Sequence, residues 1–297
     1  MKRQDAQKNG GGFSRRGFLA GAGAVTAGTI LVGCGGSSTS QPTMPTNPSL
    51  TDADYLNFAL NLEYLEAEFY LRAATGSGLG ASDSGNSTSK TVGGSQVQGL
   101  TMVQSEYMFE IAQNELDHVR FLRSALGAAA VAAPAIDLTN SFNALASAAG
   151  LGSSFNPFSS YANFLIGAFI FEDVGVTAYH GAARLLTSKT NLTAAAEIQA
   201  VEAYHAASIR SQIVAAGSAL ISTANAVEGV RSMLGGGNET TLSATGIVAA
   251  NPTTSIAFER TTDQVLHIVY GTGNGAGVKG GAFFPSGMNG NISVTAS

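Results

Sequence analysis

The sequence predicts an all-α protein in which four long amphipathic helices form a bundle, with a long crossover between the second and the third. Three observations carry this expectation. Apolar residues recur at helical spacing through about 52–74, 100–126, 158–186 and 192–216. The second and fourth of these segments repeat one pattern, Glu-x4-Glu-x2-His-x4-Arg, at Glu110, Glu115, His118 and Arg123 and again at Glu197, Glu202, His205 and Arg210. Finally, the stretch from Gly127 to Pro157 is far longer than the few residues that join neighbouring antiparallel helices, so the chain has to cross along the bundle there.

The N-terminal residues 1–34 read as a targeting segment. Ser14-Arg15-Arg16-Gly17-Phe18-Leu19 is a twin-arginine signal centred on Arg15 and Arg16, followed by a weakly apolar run to Val32 that is too short to span a bilayer. The run ends in Leu31-Val32-Gly33-Cys34, a lipobox. Cys34 is the one cysteine of the chain and has no partner for an internal disulfide. A single Cys is often a small buried apolar residue, but this one stands at a cleavage junction ahead of a loop, and is expected to carry the lipid that tethers the mature protein to a membrane. Export by the twin-arginine route then places the protein in the cell envelope or periplasm. Residues 35–50, rich in Gly, Ser, Pro and Thr, have no core face and form a flexible tether.

The bundle occupies 51–217. Its first helix starts at a Thr51 or Asp52 cap and turns Leu56, Ala59, Leu60, Glu63, Ala67 and Tyr70 to one side. Glu66 shares that side, as a partner of the Glu63 position or an alternate to it. Glu68 falls about 140° away and is expected to face solvent. Gly76 to Gly99 is a polar loop without periodicity and the natural candidate for a lid. The second helix aligns Met108, Ile111, Glu115, His118 and Leu122, and Gly127 ends it. The crossover holds one short helical piece at 141–149. The third helix aligns Leu165, Ala168, Phe169, Glu172, Val176 and Tyr179; the fourth aligns Ile198, Glu202, His205 and Ile209. Residues 218–297 are an extension of Gly-rich loops, a fifth helix over Pro252–Tyr270, and Phe283-Phe284-Pro285 as an aromatic plug against the bundle. The Gly275-x-Gly277-x-x-Gly280 text matches a dinucleotide fingerprint, but no strand precedes it and no helix follows, so it is a loop.

Composition narrows the function classes. Charged residues are 12% of the chain, the net charge is -5, and no basic stripe occurs beyond the first sixteen residues, which argues against a nucleic-acid partner. The chain has only four His, and two of them stand three residues after a Glu. On a helix, positions i and i+3 project from one face, so a carboxylate and an imidazole from each segment can meet at one point, as metal ligands do. Glu63 and Glu172 precede the two pairs, and each has a tyrosine two turns on, Tyr70 and Tyr179. The flanking apolar residues turn all six acidic and His positions inward. Buried carboxylates without partners must be protonated or neutralised, and four of them beside two neutral imidazoles balance two divalent ions. The tyrosines are core aromatics by default, with hydroxyls near the metals as the sharper alternative. His180 and His267 read as structural or surface residues. Asp117 and Asp173 adjoin the pairs and are candidates to orient a His ring or to lie on the helix surface.

The segments LNLEYLEAEFYL, AQNELDHVRFL, IFEDVGVTAYH and AVEAYHAASI resemble the four core helices of the ferritin-like superfamily, and FFPSGMNG resembles the tail of its exported, desiccation-related members. In dimetal proteins of that fold, one Glu comes from each of two helices and a Glu-x-x-His from each of the others. The resemblance implies the ligands Glu63, Glu115, His118, Glu172, Glu202 and His205, holding two divalent ions, Fe or Mn. It further implies an oxidoreductase of ferroxidase-like or manganese-catalase-like type, acting on O2 or H2O2 with Fe(II) as a further substrate, in oxidative or drying stress. A homo-oligomer is compatible with this picture, and a metal-independent structural protectant of the envelope is the alternative. The departures are the long link between the first two helices and the C-terminal extension.

Overall fold

A computed structural model describes residues 49–296; the twin-arginine signal, Cys34 and most of the tether lie outside the described residues. The described residues form one compact unit. Its elements are α1 (Asp52–Thr75), β1 (Thr91–Val92), α2 (Met102–Leu126), β2 (Ile136–Asp137), α3 (Asn140–Ala148), α4 (Tyr161–Ala183), α5 (Lys189–Ala216), α6 (Ser218–Leu234) and α7 (Thr262–Tyr270).

Local chemistry sets where most of these helices start. Thr51 and Thr101 each exchange bonds with the residue three on: Asp54 accepts from the Thr51 N–H at 2.7 Å, and Gln104 accepts from that of Thr101 at 2.9 Å. Ser160 and Ser188 cap α4 and α5 through the Asn163 and Asn191 amides. α1 packs antiparallel on α2, and α4 on α5. Asn57 reaches Ala129 just beyond α2 while Tyr64 meets Arg123, and Glu172 lies by His205 while Tyr161 bonds Gln212. α4 is apolar and long enough to cross a membrane by length and composition alone, yet 78% of its most apolar window is buried inside the protein, so it is the core helix of the bundle.

The sequence leaves parts of this arrangement unread. α1 is buried continuously from Leu56 to Tyr70, not on one face. Its second face is covered by the crossover and the C-terminal tail: Tyr64 donates to the Val131 carbonyl and Asn61 to the Asn289 carbonyl. Glu68 is accordingly 7% exposed instead of facing solvent, because the loop after α1 folds over it and the Leu79 N–H donates to its carboxylate at 2.9 Å. That loop is not a lid. It is fastened along the flank by β1, which pairs in parallel with β2, and by Arg120–Asp83 and Ala133–Ser84 contacts.

The extension also differs from expectation. The helix foreseen over Pro252–Tyr270 spans only Thr262–Tyr270, and Ile256 is exposed. The longest helix of the tail is α6, in a stretch where no helix is predicted. Its buried face is Ala224, Val227, Val230 and the charged pair Glu228 and Arg231, and those charges break the apolar pattern that reveals a helix. Arg231 belongs to a buried network in which Asp173 of α4 accepts from Arg210 and Arg231, both at 2.7 Å, while Glu239 accepts from Arg231 and Arg260. The chain at Arg260 lies directly on α4, where a Cβ at Gly181 would stand 1.8 Å from the Arg260 carbonyl oxygen. Phe283 packs edge-on against Phe142 and Phe171 as the foreseen plug.

Candidate metal centre

Four helices bring Glu63, Glu115, His118, Glu172, Glu202 and His205 to the middle of the bundle, none more than 9% exposed. The two histidines present Nδ1 inward. His118 Nδ1 lies 3.3 Å from Glu63 Oε2, 3.4 Å from Glu115 Oε2 and 3.3 Å from Glu202 Oε1. His205 Nδ1 lies 2.9 Å from Glu115 Oε1 and 3.6 Å from Glu172 Oε2. Glu115 thus offers one oxygen to each histidine. Two overlapping groups result, Glu63–Glu115–His118–Glu202 and Glu115–Glu172–His205, each with donor atoms within 4.8 Å of one another. Glu202 joins the histidine of the opposite hairpin and not the one three residues after it.

The inner atoms pass the test of a cation site. Glu63 Oε2, both oxygens of Glu115 and Glu202, Glu172 Oε2, and Nδ1 of both histidines are buried without a hydrogen bond of proper geometry. Buried polar atoms are nearly always paired, so this many orphans converging at one place mark the position of a missing positive charge. Carboxylates and imidazoles in this ratio suit Mn, Fe or Zn.

The remaining oxygens are tied down crosswise. The Tyr70 hydroxyl donates to Glu172 and that of Tyr179 to Glu63, so each hairpin's tyrosine steadies the other hairpin's glutamate. Burial, then the neighbouring carboxylates, pushes both phenols well above their ordinary pKa and keeps them as donors. The sharper reading of the tyrosines therefore describes their geometry. His205 is oriented through Nε2, 3.0 Å from the Asn114 side-chain oxygen, a contact the sequence reading assigns to no residue. Asp117 and Asp173 do not orient either ring: Asp117 is exposed beside Arg120, and Asp173 binds Arg210 and Arg231. His180 meets the Phe258 carbonyl and His267 lies 3.6 Å from Asp263, both away from the centre.

A fifth carboxylate joins the cluster. Glu66 is 4% exposed, and its Oε2 is also unpaired. Burial first, then Glu202 and Glu115, pushes it far above the usual carboxylate range. Gly175 makes the room. It follows Glu172 by three residues as Glu66 follows Glu63, and a Cβ on it would stand 2.4 Å from Glu202 Oε2 and 3.2 Å from Glu66 Oε1. The two halves of the centre differ at this position, where one half has a carboxylate and the other an absence of side chain. The repeated arginines follow the same rule of two: Arg123 reaches Tyr64, the residue after Glu63, and Arg210 reaches Asp173, the residue after Glu172.

Electrostatics fits a site that exchanges protons for metal. Burial, together with Glu115, raises Glu63 to about 7 even against the pull of His118. Burial favours neutral imidazole at His205, but Glu172 and Glu115 outweigh it and raise the ring to about 11; His118 is raised likewise by Glu63, Glu115 and Glu202. Burial also opposes charge on Glu115, yet the two histidines beside it hold it down at about 2. A cation entering here displaces protons from the rings.

A family model for the ferritin-like domain matches residues 51–215. The chain belongs to the ferritin-like family. Among curated proteins it is similar to the ferritin-like catalase Nec2 of Nesocodon mauritianus, 29% identical over 84% of this chain and 88% of that protein. It is also similar to the desiccation-related protein PCC13-62 of Craterostigma plantagineum, 30% identical over 54% of this chain and 52% of that one. The ferritin-like match ends at 215, one residue short of the end of α5, so it coincides with the four long helices.

The cluster is reached from solvent between α2 and α5. A cleft of about 440 Å³ is lined by Tyr107, Glu110, Ile111 and Asn114 on one side and Val201, Tyr204, His205 and Ser208 on the other. None of these belongs to the 76–99 loop.

Proposed function

We propose that this ferritin-like chain holds two divalent ions, manganese or iron, and removes hydrogen peroxide. Glu63, Glu115, His118 and Glu202 would hold one ion and Glu115, Glu172 and His205 the other. The observation that carries the reading is Glu115, whose two oxygens face two different inward Nδ1 atoms within a shell of unpaired carboxylates. Such a pair of ions supplies two-electron chemistry in single-electron steps at each metal, and two H2O2 then yield two H2O and one O2. The similarity to a protein named a ferritin-like catalase supports peroxide as substrate.

The chain's own residues would do the following. The polar cleft at His205 admits a small hydrophilic molecule. Asn114 holds His205 Nε2 so that Nδ1 faces the carboxylates. Glu66 keeps a proton beside Glu202, within the cluster, where the O–O cleavage of a peroxide calls for one. Tyr70 and Tyr179 hold Glu172 and Glu63 in place. The same ligand set also suits oxidation of Fe(II) by O2, which is the second reading, supported by the family fold. A purely structural protectant is disfavoured because a bundle with no chemistry is more stable with apolar residues in place of buried carboxylates.

We further propose, from Arg15, Arg16 and Cys34, that the protein is exported folded by the twin-arginine route and tethered by lipid in the cell envelope, where peroxide from oxidative or drying stress is met. Metal analysis of the full chain after native export tests the first proposal. Two manganese or iron per chain with O2 release from H2O2 supports it; two irons with Fe(II) oxidation and no O2 release selects the second reading; no metal overturns both. Mass spectrometry of the mature N-terminus, with Arg15 and Arg16 both changed to Lys as the export control, tests the tether.

A further inference from the structure

The polar cleft at His205 leaves the opposite, Glu66 side of the cluster unaccounted for, and that side adjoins an apolar cavity. Between α3, α4, α6 and α7 lies a chamber of about 290 Å³ whose walls include Leu145, Ile170, Val227, Leu234, Ile268 and Phe283. Its few polar side chains are turned elsewhere. Ser141 donates to the Asp137 carbonyl, Tyr270 to that of Ser293, and Arg231 is engaged by Phe169, Asp173 and Glu239. The chamber is therefore lined mainly by apolar groups, and it suits a small neutral apolar molecule.

A second, inner chamber of about 20 Å³ adjoins it. Ile170, Ile268 and Phe283 line both. The inner walls add Leu62, Leu65 and Val174, and its far end is Glu66 with Gly175, the glycine whose missing side chain leaves Glu66 and Glu202 open to one another. A space of this size takes one molecule as small as water. The outer mouth is marked by Ala144 and Ala148 of α3, both exposed.

We infer that these two chambers are a dioxygen passage, joining the surface at α3 to the Glu66 side of the acid cluster and separate from the hydrophilic cleft at His205. The assignment to dioxygen rests on the redox reading above, under which O2 is either product or oxidant; the apolar character of the passage does not. No bond changes in the passage itself.

The test uses the full chain, with xenon as a dense apolar probe and iron(II)-loaded protein oxidised in parallel by O2 and by H2O2. Xenon pressurisation of crystals is expected to place atoms in the outer chamber. Filling the mouth with Ala144→Phe and Ala148→Phe, at exposed positions that leave the core packing alone, is expected to slow oxidation by limiting O2 several-fold and leave oxidation by H2O2 unchanged. Ile170→Phe at the wall common to both chambers should do the same more strongly. Absence of xenon from the outer chamber, or equal slowing with both oxidants, overturns the passage. Xenon in the outer chamber of a protein that binds no redox metal overturns the dioxygen assignment together with the proposed function and leaves an apolar cavity alone.

Discussion

At the scale of single residues, the centre is held by groups that touch carboxylates and not only by the carboxylates themselves. Tyr70→Phe and Tyr179→Phe each remove one donor to a glutamate of the opposite hairpin. Each is expected to weaken metal binding by about 10-fold, the usual effect of losing such a support, measured by competition with a chelator. The two variants should behave alike because the bonds are mirror counterparts. Gly175→Ala probes the unmatched position. Its Cβ would collide with Glu202 Oε2 at 2.4 Å, so metal affinity is expected to fall by at least about 10-fold with little change in helix content. A wild-type affinity in Gly175→Ala would show that Glu202 can move aside. The placement of His118 and His205 beside the carboxylates was legible in the sequence through their spacing from Glu, but the part of Asn114 was not, since nothing local distinguishes an Asn that bonds a ring on another helix.

At the scale of elements, hairpins and tail are joined by a few charged residues. Asp52, the first residue of α1, accepts from the Thr187 and Ser188 N–H groups and from Asn191 at the start of α5. These bonds hold its carboxyl well below the usual range, so its stabilising effect is present above the unfolded pKa and lost as pH falls. Asp52→Asn is expected to lower unfolding stability by about 1 kcal/mol near neutral pH, by analogy with a lost cap, read from urea denaturation. The buried network is a stronger junction. Glu239→Gln leaves Arg231 and Arg260 short of charge in a closed interior, which is expected to destabilise by about 3 kcal/mol or more. If Glu239→Gln unfolds no earlier than wild type, the tail does not hold the bundle through this contact. The four long helices could be read from apolar period and caps. α6 escaped because Glu228 and Arg231 sit on its buried face, and the buried Arg231 is explicable only once Asp173 and Glu239 are in view.

At the scale of the whole molecule, a buried acid cluster makes stability depend on pH and on cations together. Glu63 is raised to about 7, so the folded chain keeps a proton that the unfolded chain releases near 4.5. The raised histidines act in the same direction at higher pH. The sign follows: chelator-stripped protein is expected to lose stability as pH rises through about 7, with each extra bound proton contributing a slope of about 1.4 kcal/mol per pH unit. Manganese or iron should remove that slope, because the ions replace the protons, and apparent metal affinity should rise over the same interval. Thermal melts at several pH values with and without metal check this. A stripped protein whose melting point is flat or rising from pH 6 to 8 would contradict the burial of ionisable charge described here (~2 pH units of the linkage interval).

The sequence by itself determined the four long helices, the inward side of their acidic and His positions, the doubled Glu-x-x-His pattern and the crossover, because helical period and spacing along one chain fix which residues share a face. Only the tertiary structure decided that Glu115 faces both histidines, that Glu202 joins His118, that Tyr70 and Tyr179 cross between hairpins, and that Glu68 is buried under a fastened loop. The reason is that these relations run between segments far apart in the chain. Periodicity says which way a side chain points from its own helix and carries no information about what another helix brings to meet it.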